Sequence, residues 1–288
     1  MDENSIIKKL SLVGILGNIL LAAFKLIAGL VGRSGAMVSD AVHSLSDVFA
    51  TLIAFIGVKL AQQQEDERHP YGHERMESAA SLALGLILGA TGIGIGMTGV
   101  RKLLFERGSI SVPTMLPLIA AIVSIIVKEG MFHYTMHYAR IMNSSAFKAD
   151  AWHHRSDAIS SVGSFIGIVL ARLGFPFMDP VASLIICVFI LKVAVEISGE
   201  ALSKMLDTSC NDVFENKLRA FIEAQPGVKH IDLLRTRQFG NKNYVDLEIA
   251  VDKNLSLIAA HSIAESVHAG VEKNFPTVKH IMIHVNPG

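Results

Sequence analysis

The sequence predicts an α-helical membrane protein with six transmembrane helices, followed by a small cytoplasmic α+β domain. Hydrophobic residues make up 51% and charged residues 18% of the 288 residues, whereas soluble domains carry about 25% charged residues. The mean hydropathy is +0.44. Apolar residues are unevenly distributed, because 78–100 contains no charged residue and the chain after Asn211 has the composition of a soluble domain. We therefore expect a transmembrane domain at 1–207 and a cytoplasmic domain at 208–288.

Six stretches satisfy the requirement of about 20 mainly apolar residues for a membrane-spanning helix. The first is too long for the apolar core of a cleaved signal peptide. In chain order the stretches are 11–31, 36–60, 78–100, 113–134, 147–173 and 178–195. An even number places both termini on one side. A small excess of flanking Lys and Arg on that side predicts cytoplasmic termini.

The third stretch contains Gly-x-Gly-x-x-Gly at 94–99, the letters of a dinucleotide-binding fingerprint. That fingerprint needs a preceding strand and the start of a helix, but these glycines lie inside an apolar segment. Close helix packing is the better interpretation. Pairs of glycines four residues apart, Gly85 with Gly89 and Gly92 with Gly96, predict small-residue contact faces.

The C-terminal part predicts the element order αββαβ. An amphipathic helix ends at Pro226-Gly227, and two strands at 231–239 and 244–251 are joined across Gly240-Asn241 as a hairpin. In the second strand apolar residues alternate with Tyr244 and two acidic residues, so one face is expected to be buried and the other wet. A helix at 257–274 and a strand at 279–285 complete the domain.

Composition also excludes several classes of function. The net charge is zero and the pI about 7.2, so nothing in the charge points to a nucleic-acid partner. The two cysteines, Cys187 and Cys210, are too few for a disulfide framework or a cysteine-based zinc site. The remaining metal-ligating candidates are the histidines and carboxylates.

Two of the predicted spans contain the same polar pattern, D-A-x-H-x-x-S-D, at 40–47 and 150–157. Ionisable residues inside a span are costly and are functional candidates by default. On a helix, His43 shares a face with Asp47, and His153 shares a face with Asp157. Two such faces together would offer two imidazole nitrogens and two carboxylate oxygens around one point.

This set of ligands suits Zn²⁺, which is usually four-coordinate with N, O or S ligands. It would also accept Cd²⁺, whereas Mg²⁺ and Mn²⁺ prefer more oxygens. The alternative is a structural network of buried ion pairs, but two carboxylates without a cation would leave negative charge uncompensated. Asp40 and Asp150 lie one turn earlier. Each could cap a helix start, hydrate an entrance or orient a ligand histidine, and the alternative is direct ligation of the metal.

With these motifs the chain resembles the cation diffusion facilitators, the family of proton-coupled divalent-metal exporters. The likeness covers nearly the whole chain, including a C-terminal domain similar to ferredoxin-like and metallochaperone-like folds. The paired motifs HSLSD and HHRSD carry the resemblance. It implies a transport site at His43, Asp47, His153 and Asp157, of the kind found in zinc-type members.

The resemblance implies two further metal sites. The first lies in the loop after the second span and consists of Asp66, His69 and His73. The second lies in the cytoplasmic domain, where His261 and His284 match metal-binding positions of the family. Asp232 and Glu248 would complete that site, although zinc-type bacterial members often have histidine at their positions, and Asn286 replaces a usual acidic residue.

Together with this resemblance, the motifs predict a homodimeric antiporter of the plasma (inner) membrane that exports Zn²⁺ from the cytoplasm in exchange for protons by alternating access. Cd²⁺, Fe²⁺ and Mn²⁺ remain alternative physiological substrates. Two rival functions are a membrane metalloenzyme and a membrane-anchored metal sensor. Four protein ligands would close the shell that a catalytic zinc keeps open, and ligands inside the membrane argue against a sensor whose helices serve only as an anchor.

Overall fold

The computed structural model describes residues 3–31, 35–105, 115–172 and 178–288, and it divides into two compact units, Met1–Ala201 and Leu202–Gly288. Eight helices and three strands lie in these ranges. The helices of the first unit, including one that continues into the second, are α1 (Glu3–Val31), α2 (Gly35–Ala61), α3 (Arg75–Phe105), α4 (Met115–Ile141), α5 (Ser145–Arg172) and α6 (Met178–Met205). The second unit contains α7 (Asp212–Glu223), β1 (His230–Phe239), β2 (Lys242–Val251), α8 (Leu257–Asn274) and β3 (Val278–Pro287).

The first unit has apolar residues on its surface and polar residues in its interior. In α1, Leu20 and Ile27 are exposed, whereas Asn18 and Lys25 are buried. This distribution is expected where the surroundings are lipid, because polar groups are then better satisfied by one another than at the surface. Among the described residues, three helices have both the length and the hydropathy of a membrane span, at Ser5–Ala28, Arg75–Arg101 and Leu118–Ile141.

The two helices that carry the repeated polar pattern, α2 and α5, lie side by side in this unit and also contact α3. Helix α4 packs along α5 and α1 packs along both α2 and α4. Ala50, Ala54, Ala146 and Ala149 belong to the main apolar cluster of the unit. Small side chains let the helix backbones approach closely, so the polar faces of α2 and α5 are held next to each other.

Three glycines of α3 lie close to α6. A Cβ atom at Gly96 would come within 2.6 Å of Cys187 Sγ, and one at Gly92 within 3.0 Å of Ile190 Cγ2. A Cβ at Gly85 would also meet the Ser198 side chain. The close approaches confirm the predicted packing role for these three glycines. A Cβ at Gly89 would make only an ordinary contact of 3.7 Å with Ala194, and one at Gly94 would meet nothing within 4 Å.

The second unit is an α+β domain in the predicted order αββαβ. Strand β2 is central, antiparallel to β1 and parallel to β3, and α8 makes the crossover between β2 and β3. The side chains of Leu247 and Ile249 are buried against Leu218 and Val267 from the two helices. Tyr244 differs from the prediction of a wet face, because it is buried against Phe239, with Arg237 stacked over its ring.

Candidate metal centres

The membrane unit brings together three residues of the repeated pattern. Asp47 comes from α2, and His153 and Asp157 lie one turn apart on α5. One ligand atom of each residue lies within 4.8 Å of those of the other two, and all three side chains are buried. The pattern therefore places two of its carboxylates and one imidazole at a single point in the interior of the unit, as the helical spacing predicts.

A lysine completes this cluster. Lys128 of α4 is only 1% exposed, and its Nζ lies 2.5 Å from Asp47 Oδ2 and 2.8 Å from Asp157 Oδ2. The ammonium donates to both carboxylates in one buried place. The chain thus supplies one cation for the two carboxylates, which the sequence interpretation did not anticipate.

The signal for Lys128 was present in the sequence. Helix α4 has no charged residue from Met115 up to Lys128, and an ionisable residue in such a segment is a functional candidate with a partner to be found. Nothing local identifies that partner, because the lysine does not belong to the repeated pattern. The neighbouring Glu129 takes a different partner, Arg155, at 3.4 Å.

His153 lies between the two carboxylates. Its Nε2 is 3.3 Å from Asp47 Oδ1 and 3.9 Å from Asp157 Oδ2, and its Nδ1 has no hydrogen-bond partner among the described residues. Nε2 is therefore the nitrogen that is placed to bind a metal ion together with the two carboxylates.

The fourth expected ligand lies outside the described side chains. The backbone of His43 is part of α2, one helical turn before Asp47, and the same helix carries Asp40. Neither side chain is among those that the structure describes. The ligation predicted for His43 stays a prediction that rests on its place on the helix.

Asp150 takes part in a neighbouring polar network and not in the three-residue cluster. Its carboxylate accepts a hydrogen bond of 3.1 Å from Thr51 Oγ1, so it links α5 to α2. His154 Nε2 lies 3.6 Å from the same carboxylate. This arrangement favours a positioning role for Asp150 over direct ligation at the Asp47 cluster.

The loop between α2 and α3 gathers the second predicted set. His69 Nδ1 lies 3.0 Å from Asp66 Oδ1, and His73 Nε2 lies 3.4 Å from Asp66 Oδ2. The two imidazole rings have centroids 4.5 Å apart. Asp66, His69 and His73 are the second group of three metal-ligating side chains found among the described residues.

The loop is ordered by its own hydrogen bonds. The Asp66 carboxylate accepts the backbone N–H groups of His69 and Arg68, and the bond from His69 is the main reason why the pKa of Asp66 is lowered. His73 Nδ1 is 3.1 Å from the carbonyl oxygen of Gln64. When Nδ1–H donates a hydrogen bond to this carbonyl oxygen, Nε2 carries a lone pair that points towards Asp66. A histidine that binds a metal through Nε2 needs this tautomer.

The set predicted in the cytoplasmic domain is not gathered into one group. The amide of Asn286 donates to Asp232 at 2.8 Å and to Glu248 at 3.2 Å, while His230 lies 2.8 Å from Asp232. His284 is in register with Glu248 on the neighbouring strand. His261 is exposed on α8 and lies 3.7 Å from Glu265.

Two family models match the chain. The model described as "Cation efflux transmembrane domain" covers residues 11–206, and the one described as "Cation efflux protein, cytoplasmic domain" covers 210–288. Together they span both units of the structure.

Curated relatives match over most of the chain. The manganese efflux system protein MneP of Bacillus subtilis is 29% identical, over 99% of this chain and 98% of its own. The magnetosome protein MamB of a Magnetospira species is 33% identical, over 94% and 92% respectively. Metal tolerance protein C1 of Arabidopsis thaliana is 31% identical, over 97% of this chain and 62% of its own.

Among solved structures, MamM-CTD is 26% identical over 27% of this chain and 98% of its own, with a TM-score of 0.26. The sequence matches extend over residues 11–206 and 210–288 and show the family. The chain belongs to the cation efflux proteins, the cation diffusion facilitator family, and is an integral membrane transporter of divalent metal cations.

Proposed function

We propose that this transporter exports Zn²⁺ from the cytoplasm in exchange for protons, with Asp47, His153 and Asp157 as the core of its transport site. One observation carries the proposal: two helices bring a nitrogen and two carboxylate oxygens within 4.8 Å of one another in the interior of the membrane unit. His43, one turn before Asp47 on α2, supplies the fourth ligand.

Zinc is the metal that these donors favour. An imidazole with carboxylate oxygens in a four-ligand set matches tetrahedral zinc coordination, whereas Mn²⁺ takes more oxygen ligands. Mn²⁺ is the main rival because a relative that is 29% identical over nearly the whole chain is named a manganese efflux protein. The experiment below therefore compares the two ions directly.

Proton exchange follows from the chemistry of the same side chains. Imidazole binds a metal only when it is neutral, so metal and proton compete for His153. A site that loads metal on the cytoplasmic side releases protons there, and protonation on the far side helps the metal to leave. Alternating access then requires the site on α2 and α5 to face each side of the membrane in turn.

The remaining organisation is part of the same proposal. The protein functions as a homodimer in the plasma membrane with both termini in the cytoplasm, as the flanking positive charges favour. The loop residues Asp66, His69 and His73 hold a second metal, for which their mutual distances provide the support. The positions Asp232, Glu248, His261 and His284 remain a candidate regulatory site that needs a rearrangement to bind one ion.

The test is metal uptake into everted membrane vesicles that contain the full-length protein. Zn²⁺, Cd²⁺, Mn²⁺, Fe²⁺ and Co²⁺ are compared, with and without an acidic vesicle interior. We expect Zn²⁺ uptake to exceed Mn²⁺ uptake and to be accelerated by the gradient, and Asp47→Asn to abolish both. Uptake that does not depend on the proton gradient would exclude proton exchange. A preference for Mn²⁺ would exclude the zinc assignment.

A further inference from the structure

The position of Lys128 has a consequence for how the transport site loads. Its ammonium contacts one oxygen of each carboxylate, at 2.5 Å and 2.8 Å, in a place almost closed to solvent. Zinc binds carboxylate oxygens at about 2.0–2.2 Å. An ion that bridges the same two oxygens would therefore take the space that the nitrogen occupies.

We propose that Lys128 is a tethered cation that exchanges with the transported metal at the carboxylate pair of Asp47 and Asp157. The metal displaces the ammonium when it binds, and the ammonium returns when the metal leaves. This inference rests on the proposed transport site and adds a residue from a third helix, α4, to its working cycle.

The net charge of the site explains why such an exchange is favourable. Two carboxylates and one ammonium carry a net charge of −1, and two carboxylates with a divalent metal carry no net charge. Without the lysine, the metal-free site would hold two adjacent negative charges inside the membrane unit, which is costly in a low dielectric. The lysine therefore lets the carrier return without metal at a moderate electrostatic cost.

The side chain is suited to such a movement. A lysine carries a compact charge on a flexible stem of four carbons, so the ammonium can withdraw while its backbone stays in α4. The metal gains from this withdrawal, because a divalent ion and an ammonium next to each other repel. Exchange also limits affinity, because every bound metal must first break two ion pairs.

The test compares Zn²⁺ binding by calorimetry in the full-length wild-type protein, Lys128→Met and Lys128→Ala. We expect the Kd of the Asp47-dependent site to fall at least tenfold in both variants, and the maximal efflux rate to fall, since metal release is no longer assisted. Lys192→Met is the matched control, because this ammonium is 73% exposed and pairs with Glu196 at 3.9 Å, away from the carboxylates of the site. An unchanged Kd in the Lys128 variants would overturn the proposal.

A second measurement separates exchange from a charge that acts at a distance. Propylammonium, which has the three carbons and the ammonium that the variant lacks, is added to Lys128→Ala. It should raise the apparent Kd for Zn²⁺ competitively while leaving the wild type unaffected. If it does not compete, the exchange is refuted. If the metal-free Lys128 variants are too unstable for calorimetry, the rise in their melting temperature on adding Zn²⁺ is compared with that of the wild type. A rise no larger than in the wild type refutes the exchange.

The experiment also distinguishes this inference from the proposed function. Asp47→Asn is measured alongside, and sites that survive this change belong to the loop or the cytoplasmic domain. Full binding in Asp47→Asn would show that the transport site is elsewhere. Loss of one ion in Asp47→Asn together with wild-type affinity in Lys128→Met would refute only the exchange.

Discussion

Two buried aspartates on α5 give the sharpest test of the proposed metal site. Asp157 belongs to the three-residue cluster and contacts Lys128 at 2.8 Å, whereas Asp150 accepts a hydrogen bond from Thr51 at 3.1 Å outside that cluster. Both changes to Asn keep the side-chain volume and remove one charge. We expect Asp157→Asn to lose metal binding and transport, and Asp150→Asn to retain both.

The expected size of the effect follows from charge. A pair of unit charges about 4 Å apart at an effective dielectric constant of about 20 interacts by about 4 kcal/mol, which corresponds to roughly a thousandfold in Kd. The metal carries two charges and lies closer to its ligand, so we take a thousandfold weakening as the lower end. In Asp157→Asn, moreover, Lys128 neutralises the remaining Asp47 and leaves no net attraction for a divalent ion.

The assay is calorimetric titration of the solubilised full-length protein with Zn²⁺, followed by vesicle efflux. Asp157→Asn should bind one ion fewer per protomer, and Asp150→Asn should bind within about tenfold of the wild type, because its loss affects only the positioning of α5. Asp157→Asn that binds within tenfold of the wild type and still transports would refute the assignment. Equal loss in both variants would show that the charge of α5, and not the cluster geometry, determines binding.

Four further predictions concern the loop, selectivity and the second unit. His69→Ala with His73→Ala should remove at most one bound metal per protomer and slow efflux without abolishing it; efflux as low as in Asp157→Asn would place the loop on the main path. In the wild-type loop, Asp66 has a lowered pKa and stays ionised in mildly acidic solution. Acid should release this metal, because protons compete with the metal for its ligand atoms, as direct titration of bound Zn²⁺ would show. Replacing His43 with Asp adds an oxygen ligand and a negative charge, so the Zn²⁺ over Mn²⁺ preference should fall in competition uptake; an unchanged ratio in an active variant would mean that these ligands do not set selectivity. Leu247→Ala, in the centre of the sheet, should destabilise the second unit by about 2–5 kcal/mol. Faster hydrogen exchange of the β2 amides in the full chain would show this, and unchanged exchange would contradict the packing of that core.

Local sequence patterns predicted both groups of metal-ligating residues that the structure brings together. The paired polar repeats predicted that Asp47, His153 and Asp157 would lie on facing helix surfaces, and the structure places their ligand atoms together. The loop set was equally accessible, because Asp66, His69 and His73 are separated by only a few residues. Helical and loop geometry relate residues that are close in sequence, so spacing alone determines which of them share a face.

The tertiary structure decided the partners between distant segments. Lys128 pairs with Asp47 and Asp157 only because α4 packs beside α5, and no periodicity in α4 indicates where its ammonium goes. In the second unit, Asn286 of β3 reaches the carboxylates of Asp232 and Glu248 because β2 lies between β1 and β3. The physical reason is the same in both cases: a buried charge or amide takes the partner that helix packing or sheet order brings to it, and that partner is far away along the chain.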